Sequence, residues 1–292
     1  MKNTSLVKTW HATSPQHATS PQHTAAPQHA TSLQYKSITC IPKYTRLIST
    51  LIALLCCVSF TQAQVNPKEI IRKSDEKLRG QSSTSTMKMT IVRPSWTREI
   101  QMKSWSKGND YSLTLVTAPA RDKGTAFLKR EKEIWNWQPT IDRVIKLPPS
   151  MMMQSWMGSD FKNDDLVRES SAVEDYTHEL LGEETIEGLP CYKIQMIPKE
   201  DAPVVWGKVI CWIDKADYMQ LKTTFHDEDG YLVNTMYGKD IKEMDGKKLP
   251  GRLEVVPEED EGHKTVIEYI SLKFNQPIKE SFFSLQNMKR VR

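Results

Sequence analysis

The chain has 292 residues, with 40 Lys and Arg, 36 Asp and Glu, and a formal net charge of +4. The excess of positive charge is confined to the start of the chain. Five basic residues and no acidic residue precede position 64, so the remainder carries 35 basic and 36 acidic residues. A nearly neutral chain offers no electrostatic footprint for nucleic acid, and we exclude that class of partner.

A low-complexity tail opens the chain. Residues 11–34 repeat a six-residue unit as HATSPQ, HATSPQ, HTAAPQ and HATSLQ, with almost no apolar bulk. Such a composition cannot bury a core, and we predict that residues 1–34 are disordered. A histidine recurs in every unit, but an unstructured segment does not hold metal ligands in place. No metal site is predicted there.

Residues 35–63 have the layout of a secretory signal peptide. Basic residues precede an apolar run of 14 residues, LISTLIALLCCVSF, and the small-residue pattern TQA follows it. The run is too short to span a bilayer comfortably as a permanent helix. We predict cleavage between Ala63 and Gln64. A lipoprotein signal is the less favoured alternative, because neither cysteine of the run has a small residue immediately before it.

The segment after the cleavage site predicts one amphipathic helix. Asn66 can cap it, Pro67 suits its first position, and Gly80 can end it. Residues 64–292 are short enough for a single domain that begins with this helix. The residues expected on its buried face are Ile70, Ile71, Ser74 and Leu78.

Alternation of apolar and polar residues dominates the rest of the domain. Met87, Met89 and Ile91 alternate with polar neighbours, and similar runs recur along the chain between turn sequences such as KGND, KEDAP and DEDG. This period of two predicts one meandering, strongly curved antiparallel sheet. A short closing helix is predicted within residues 281–292. The predicted strands span residues 85–94, 97–108, 110–119, 124–130, 133–139, 176–186, 189–198, 204–214, 218–226, 231–241, 249–257 and 264–274.

Residues 148–173 form an insert that interrupts the strand pattern. Its start, PPSMMMQSWM, crowds four methionines and a tryptophan into a few positions. If the stretch is helical, spacings of three, four and eight positions from Met153 bring three further apolar side chains to one face. Those three are Trp156, Met157 and Phe161.

The insert has two interpretations. Because methionine is unbranched and polarizable, a Met-rich segment over the concave face of a sheet could line a cavity for varied apolar ligands. Alternatively, the same side chains fill the core at the open end of the sheet. The candidate cavity or lid residues are Met151, Met152, Met153, Trp156, Met157 and Phe161, joined by Trp135 and Trp137 from the strand EIWNWQP.

The domain lacks the motifs of the common enzyme classes. No nucleophile elbow, zinc-protease motif, CxxC pair, phosphate-binding loop or dinucleotide fingerprint occurs in its sequence. Its three histidines have no second ligand at metal spacing. In SDFKNDD, helix capping and a solvated loop are favoured over a cation site at Asp160, Asp164 and Asp165. We therefore predict that the protein is not an enzyme and needs no metal or cofactor.

Cys191 and Cys211 are the two cysteines of the predicted domain. They are symmetric about position 201, in a turn between two predicted strands, so in a simple hairpin they would face each other. An oxidising compartment permits a disulfide. A bond between directly opposed residues of neighbouring strands is, however, geometrically demanding. One disulfide and two free thiols both stay open.

Several phrases within residues 66–292 have a familiar form, among them IWNWQPTIDRVIKLPP, MGSDFKNDDL, CYKIQMIPK, VICWIDKADYMQLKTTFHDEDG and SFFSLQNM. Together they resemble the outer membrane lipoprotein-sorting proteins, a family similar to the periplasmic lipoprotein carrier LolA. Two phrases depart from the family, NWQPTIDR and PPSMMMQSW, and the second makes the insert more apolar. The landmark of the resemblance consists of Met157, Gly158, Ser159, Asp160 and Phe161.

The resemblance implies a mainly β fold with a few helices, an incomplete, unclosed antiparallel barrel that wraps a hydrophobic cavity under a helical lid. It implies a carrier in the periplasm of a Gram-negative bacterium, which holds lipoprotein acyl chains or other lipid during sorting to the outer membrane. An inner-membrane transporter and an outer-membrane acceptor would be its partners. The alternative is a non-catalytic periplasmic binding or sensor module that docks a membrane transporter or signalling partner.

Overall fold

The computed structural model describes residues 65–167 and 171–291. The predicted tail, the signal peptide and the cleavage site between Ala63 and Gln64 lie outside these residues and stay predictions. Within the described part, no helix is long and apolar enough to cross a membrane.

The first helix, α1 (Pro67–Arg79), begins and ends where the sequence predicts. The side chain of Asn66 accepts a hydrogen bond from the backbone N–H of Glu69 at 3.3 Å. At the other end Gly80, with φ 64°, donates its N–H to the carbonyl oxygen of Glu76. The N-cap satisfies one donor of the first turn, and glycine adopts the positive φ at the end of the helix more readily than a residue with a Cβ. Its buried residues are Ile70, Ile71 and Ser74.

In the described part of the chain, thirteen strands form one antiparallel sheet. The alternating runs of the sequence predict all of them except β6, which is short, mostly exposed and without clear alternation. The strands are β1 (Ser82–Arg93), β2 (Trp96–Lys107), β3 (Tyr111–Ala118), β4 (Ala126–Arg130), β5 (Glu133–Gln138), β6 (Arg143–Lys146), β7 (Tyr176–Ile186), β8 (Leu189–Pro198), β9 (Lys208–Asp214), β10 (Gln220–His226), β11 (Leu232–Met244), β12 (Lys247–Pro257) and β13 (Lys264–Phe274).

The sheet consists of two meanders joined at its centre. Strands β1 to β6 lie side by side in chain order from the centre to one edge, and strands β7 to β13 lie in chain order from the other edge to the centre. At the centre β1 pairs with β13, with Met89 opposite Ile267. No pairing joins the edge strands β6 and β7 in the described residues. The sheet is therefore not closed, and the predicted unclosed antiparallel architecture is confirmed.

The two faces of the sheet are covered by different parts of the chain. On the inner face, Met89 and Ile100 belong to a core cluster with Trp156 of the insert. On the outer face, Leu113 and Leu128 pack with the C-terminal segment, which ends in the short helix α3 (Leu285–Met288). The predicted closing helix is confirmed.

The insert is not a continuous helix, so the predicted helical face from Met153 to Phe161 is wrong. The chain forms two 3-10 turns, Pro149–Met151 and Trp156–Gly158, before the short helix α2 (Asn163–Val167). Met157 adopts a left-handed conformation with φ 51°, which breaks the helical path. The backbone N–H of Trp156 instead donates to the carbonyl oxygen of Phe161 at 2.8 Å, closing a compact loop.

Cys191 and Cys211 do not face each other. In the pairing of β8 with β9, Cys191 lies opposite Asp214 and Cys211 lies opposite Ile194. The connection between the two strands is asymmetric, which offsets the pairing and sends the thiols to opposite faces of the sheet. Both are buried free thiols, so the expected opposition is wrong and of the two alternatives the structure has the free thiols.

Candidate functional site

A cavity of about 360 Å³ lies on the inner face, bounded by α1, the sheet and the insert. Helix α1 contributes Ile71 and Leu78 to its wall, and the insert contributes Trp156 and Phe161. Ligand pockets typically measure about 300 to 1,000 Å³, so this cavity is at the small end of that range. It is the candidate functional site of the described residues.

Apolar side chains from both meanders line the part of the cavity nearest the insert. Two aromatic pairs stand in its wall, Phe127 with Trp156 at 5.1 Å between ring centroids and Trp206 with Phe225 at 5.0 Å. This wall offers dispersion contacts to an apolar ligand. The other apolar lining residues of the strands include Met87, Met102, Met196, Val209, Cys211, Met236, Leu253, Val255 and Ile267.

Trp206 connects this wall to the insert. It precedes Gly207, where an added Cβ would come within 2.3 Å of the backbone oxygen of Asp227, so only glycine fits at that position. The indole Nε1 of Trp206 donates to Asp165 Oδ1 at 3.0 Å, and Asp165 Oδ2 accepts from the backbone N–H of Lys162 at 2.7 Å. Asp165 therefore caps the start of α2, as the sequence favours, and joins it to the wall.

A partly buried ion pair anchors the landmark of the insert. Arg93 donates from Nη2 to Asp160 Oδ1 at 2.9 Å and from Nη1 to Oδ2 at 3.1 Å, and the two side chains are 12% and 7% exposed. The hydroxyl of Thr265 donates to Asp160 Oδ2 at 2.6 Å. A bidentate pair of this kind fixes geometry as well as charge. Asp160 is thus a structural anchor between the insert and strands β1 and β13.

Backbone groups of the landmark are held as well. Arg93 donates to the carbonyl oxygen of Gly158 at 3.0 Å, and Asn234 donates from Nδ2 to the carbonyl oxygen of Asp160 at 3.3 Å. Ser159, 1% exposed, donates its hydroxyl to the carbonyl oxygen of Trp156 at 2.7 Å. Sequence reasoning missed the partners Arg93, Thr265 and Asn234, because they are distant in the chain and no local pattern marks them.

The candidate residues of the insert separate into three groups. Trp156 and Phe161, 1% and 4% exposed, line the cavity. Met152 is 2% exposed and belongs to the core cluster beneath the insert, with Met151 and Met157 packed partly against it. Met153 is 61% exposed and points to neither. Only two of the six insert candidates therefore stand in the cavity wall.

Trp135 and Trp137 face away from the cavity, so their predicted place in it is wrong. They pack on the outer face with Phe283 of the C-terminal segment. Because successive side chains of a strand point to opposite faces, Ile134 of the same strand lies in the inner core instead. The spacing of the two tryptophans correctly puts them on one side of the strand, but spacing alone does not say which side is concave.

Burial raises the pKa of two groups in the cavity wall. It raises the pKa of the Cys211 thiol to about 12 and raises the pKa of Tyr176, with a further contribution from Asp164 and Asp165. Both groups stay protonated at neutral pH. Within the described ranges, no group of three or more His, Cys, Asp and Glu side chains is placed to hold a metal ion.

Comparison with known proteins identifies relatives of this fold. The model of a family described as an uncharacterized protein matches residues 108–290, which is more than half of the chain. None of the curated proteins matches the chain.

Three crystal structures are similar over most of the chain. A DUF1329 family protein from Desulfovibrio piger is 24% identical with a TM-score of 0.70, and 77% of this chain covers 100% of that chain. A putative outer membrane lipoprotein-sorting protein domain from Vibrio parahaemolyticus is 25% identical with a TM-score of 0.69, covering 77% and 98%. A LolA superfamily protein from Nitrosomonas europaea is 23% identical with a TM-score of 0.66, covering 76% and 99%.

Proposed function

Since the chain belongs to the family of that model and has the LolA-like fold of the outer membrane lipoprotein-sorting proteins, we propose that it is a carrier for lipidated proteins or lipids. The proposed ligand is an acyl chain held in the inner-face cavity, and the proposed site of action is the periplasm of a Gram-negative bacterium. The observation that carries the proposal is the cavity itself, with its wall of apolar and aromatic side chains.

Transfer of an acyl chain into this cavity would be driven by burial of apolar surface. Each methylene group removed from water contributes about 0.8 kcal/mol, and the methionines of the wall can adjust to chains of different shape. Loading and release on this basis involve no covalent step. The proposal therefore includes no catalytic residue and no cofactor.

The size of the cavity sets a condition on loading. A volume of about 360 Å³ suits one small apolar ligand better than several long chains. Trp156 and Phe161 belong to the insert and occupy its border, so a longer ligand has to displace them. A ligand stabilises such an open arrangement only to the extent that it binds it better than the closed one. In this proposal the insert is therefore the lid of the cavity.

The test begins with the purified mature protein. Native mass spectrometry should detect co-purified lipid, and incubation with phospholipid vesicles should load the delipidated protein. We expect Met236→Trp to abolish both, because Met236 lines the cavity and the larger side chain fills it. The matched control is Tyr237→Trp, which adds bulk at the next residue of β11, where the ring of Tyr237 faces Lys239 instead.

Two results would contradict the carrier proposal. One is a protein that purifies without lipid and takes none from vesicles. The other is equal lipid uptake by the wild type and the Met236→Trp variant. If the lipid-free protein is instead crosslinked to one membrane protein, this result would support the alternative, a binding or sensor module.

A further inference from the structure

The inner face is not apolar along its whole length. Met87 of β1 lies opposite Met102 of β2, and beyond this pair, moving away from the insert, every inward side chain of the first three strands is a hydroxyl. All six of these side chains are half-buried and line the cavity. We call them the hydroxyl patch, and they form two cross-strand rows, Ser85–Ser104–Thr114 and Ser83–Ser106–Ser112.

The patch has unused hydrogen-bonding capacity. Ser83 and Ser106 share one hydrogen bond, with 2.8 Å between their Oγ atoms, and Ser104 and Thr114 share another at 3.0 Å. Each hydroxyl can donate once and accept twice, so each pair keeps one donor free for a further partner. The patch therefore offers several donors to the cavity.

A second, independent observation stands beside the patch. Trp156 is 1% exposed, lines the cavity, and its buried Nε1 has no hydrogen-bond partner among the described residues. The indole packs on Phe127, which lies directly opposite Thr114 of the patch. A buried N–H without an acceptor is rare in folded proteins and calls for an explanation, such as a missing bound group.

Charged groups of both signs line the cavity beside the patch. Lys129 is 7% exposed, lines the cavity and lies opposite Ser112. Asp75 and Arg79 of α1 line the same end and form an ion pair at 2.9 Å, and the carboxylates of Asp164 and Asp165 line the cavity as well. The hydroxyl groups of the patch, the ammonium group of Lys129 and, at the border with the apolar wall, the indole of Trp156 are all hydrogen-bond donors. They match oxygen atoms that only accept.

We propose that this end of the cavity is a polar subsite for the acceptor oxygens of an acyl head group, either a carboxylate or an ester. The inference rests on the proposed carrier function and deepens it, because it gives the ligand an orientation. The head group lies on the hydroxyl patch, and the chain runs from it toward the apolar wall beneath the insert. Trp156 packs on Phe127, next to Thr114, and so stands at the border between the patch and the apolar wall. An oxygen of a head group on the row Ser85–Ser104–Thr114 then supplies the acceptor that Trp156 lacks.

The test compares three ligands with the same chain and different head groups. Oleate presents a carboxylate, monooleoylglycerol an ester, and oleylamine a cation without acceptor oxygens. Each displaces the apolar dye N-phenyl-1-naphthylamine from the delipidated full-length mature protein. We expect oleate or monooleoylglycerol to bind about tenfold more tightly than oleylamine, which corresponds to about 1.4 kcal/mol.

Variants locate the preference in the hydroxyl patch. The triple variant Ser85→Ala, Ser104→Ala and Thr114→Val should lose the about tenfold preference while it keeps the affinity for the dye. The control Thr84→Val with Thr86→Val removes hydroxyls from neighbouring positions of β1 that alternate to the outer face, and it should keep the preference. If the triple variant fails to fold, Ser104→Ala alone serves, and a twofold or greater loss is expected.

The variant Lys129→Gln distinguishes a carboxylate head group from an ester head group. A carboxylate ligand should lose more affinity in this variant than the ester ligand, whereas equal affinities in wild type and variant identify the ester. Equal binding of all three ligands to the wild type, or equal weakening of all three in the triple variant, would overturn the inference while the carrier proposal stands. Failure of every acyl ligand to displace the dye would overturn both.

Discussion

The two parts of the insert are held in opposite ways. In the first part, residues 148–157, Met152 and Trp156 are buried by contacts with other apolar side chains. In the second part, residues 158–161, the chain is fastened by directional bonds, above all those from Arg93 to Asp160. Apolar contacts tolerate sliding and rotamer changes, but a bidentate ion pair loses its energy when its geometry changes.

This difference teaches where the insert can move. The second part is a fixed point on the sheet, and the first part can re-pack around a ligand. Trp156 lies on the boundary, with its ring in the cavity and its backbone N–H bonded to Phe161 of the fixed part. Three experiments test this contrast and a fourth concerns the pH dependence at the end of the insert, in order of expected effect.

Trp156→Ala should have the largest effect. It removes a fully buried aromatic side chain from the core cluster, and we expect the free energy of unfolding to fall by about 4 kcal/mol. Chemical denaturation with urea measures it. The control is Trp96→Ala, because Trp96 is 48% exposed and should change stability far less. Similar losses in the two variants would mean that packing does not hold the first part.

Asp160→Asn should cause the next largest loss in the free energy of unfolding. The change leaves the partly buried guanidinium of Arg93 without its counter-charge, and removing one partner of such a pair costs up to about 3 kcal/mol. Urea denaturation again measures the loss, with the exposed turn variant Asp229→Asn as control. A loss of less than about 1 kcal/mol, typical of an exposed pair, would show that the second part is not anchored by charge.

Met152→Ala and Met153→Ala compare adjacent residues of the first part. Truncating the buried Met152 should lower the free energy of unfolding by about 2 kcal/mol. Truncating Met153, which is 61% exposed, should change it by less than about 0.5 kcal/mol. Thermal unfolding of the two variants side by side is sufficient. The reverse order would contradict the described packing of this stretch.

The smallest effect concerns pH at the end of the insert. His178 lies with Nε2 2.8 Å from the carbonyl oxygen of Ala172, and burial lowers its pKa below the ordinary value of 6.5. The stability gained from the neutral ring is therefore present above pH 6.5 and is lost as the pH falls through the lowered pKa. His178→Gln should make stability less dependent on pH between 7 and 5. An unchanged pH profile would exclude His178 as the source.

Much of the fold follows from the sequence because its signals are local. Asn66, Pro67 and Gly80 define α1 through capping, and the period of two defines nearly every strand. The sequence does not reveal which face is concave, since Trp135 and Trp137 satisfy either choice. It does not reveal the offset that separates Cys191 from Cys211 either, because that depends on an irregular connection.

The candidate site is less accessible from the sequence. Its position beside the insert was predictable from composition, and Trp156 and Phe161 do line the cavity. The ion pair between Asp160 and Arg93 was not predictable, because the two residues are 67 positions apart in the chain. The hydroxyl patch did leave a signal: hydroxyl residues alternate at inward positions of three consecutive strands, from Ser83 to Thr114.

The pairing of β1 with β13 has a consequence for how the chain folds. The first and last strands meet at the centre of the sheet, so the middle of the domain consists of contacts between its two ends. Closing such a long loop is slow, because the entropy of closure precedes the gain from pairing. The domain cannot complete its core until the last strand has been synthesised. A chain shortened before residue 264 would lose the centre of its sheet and keep only two separate meanders.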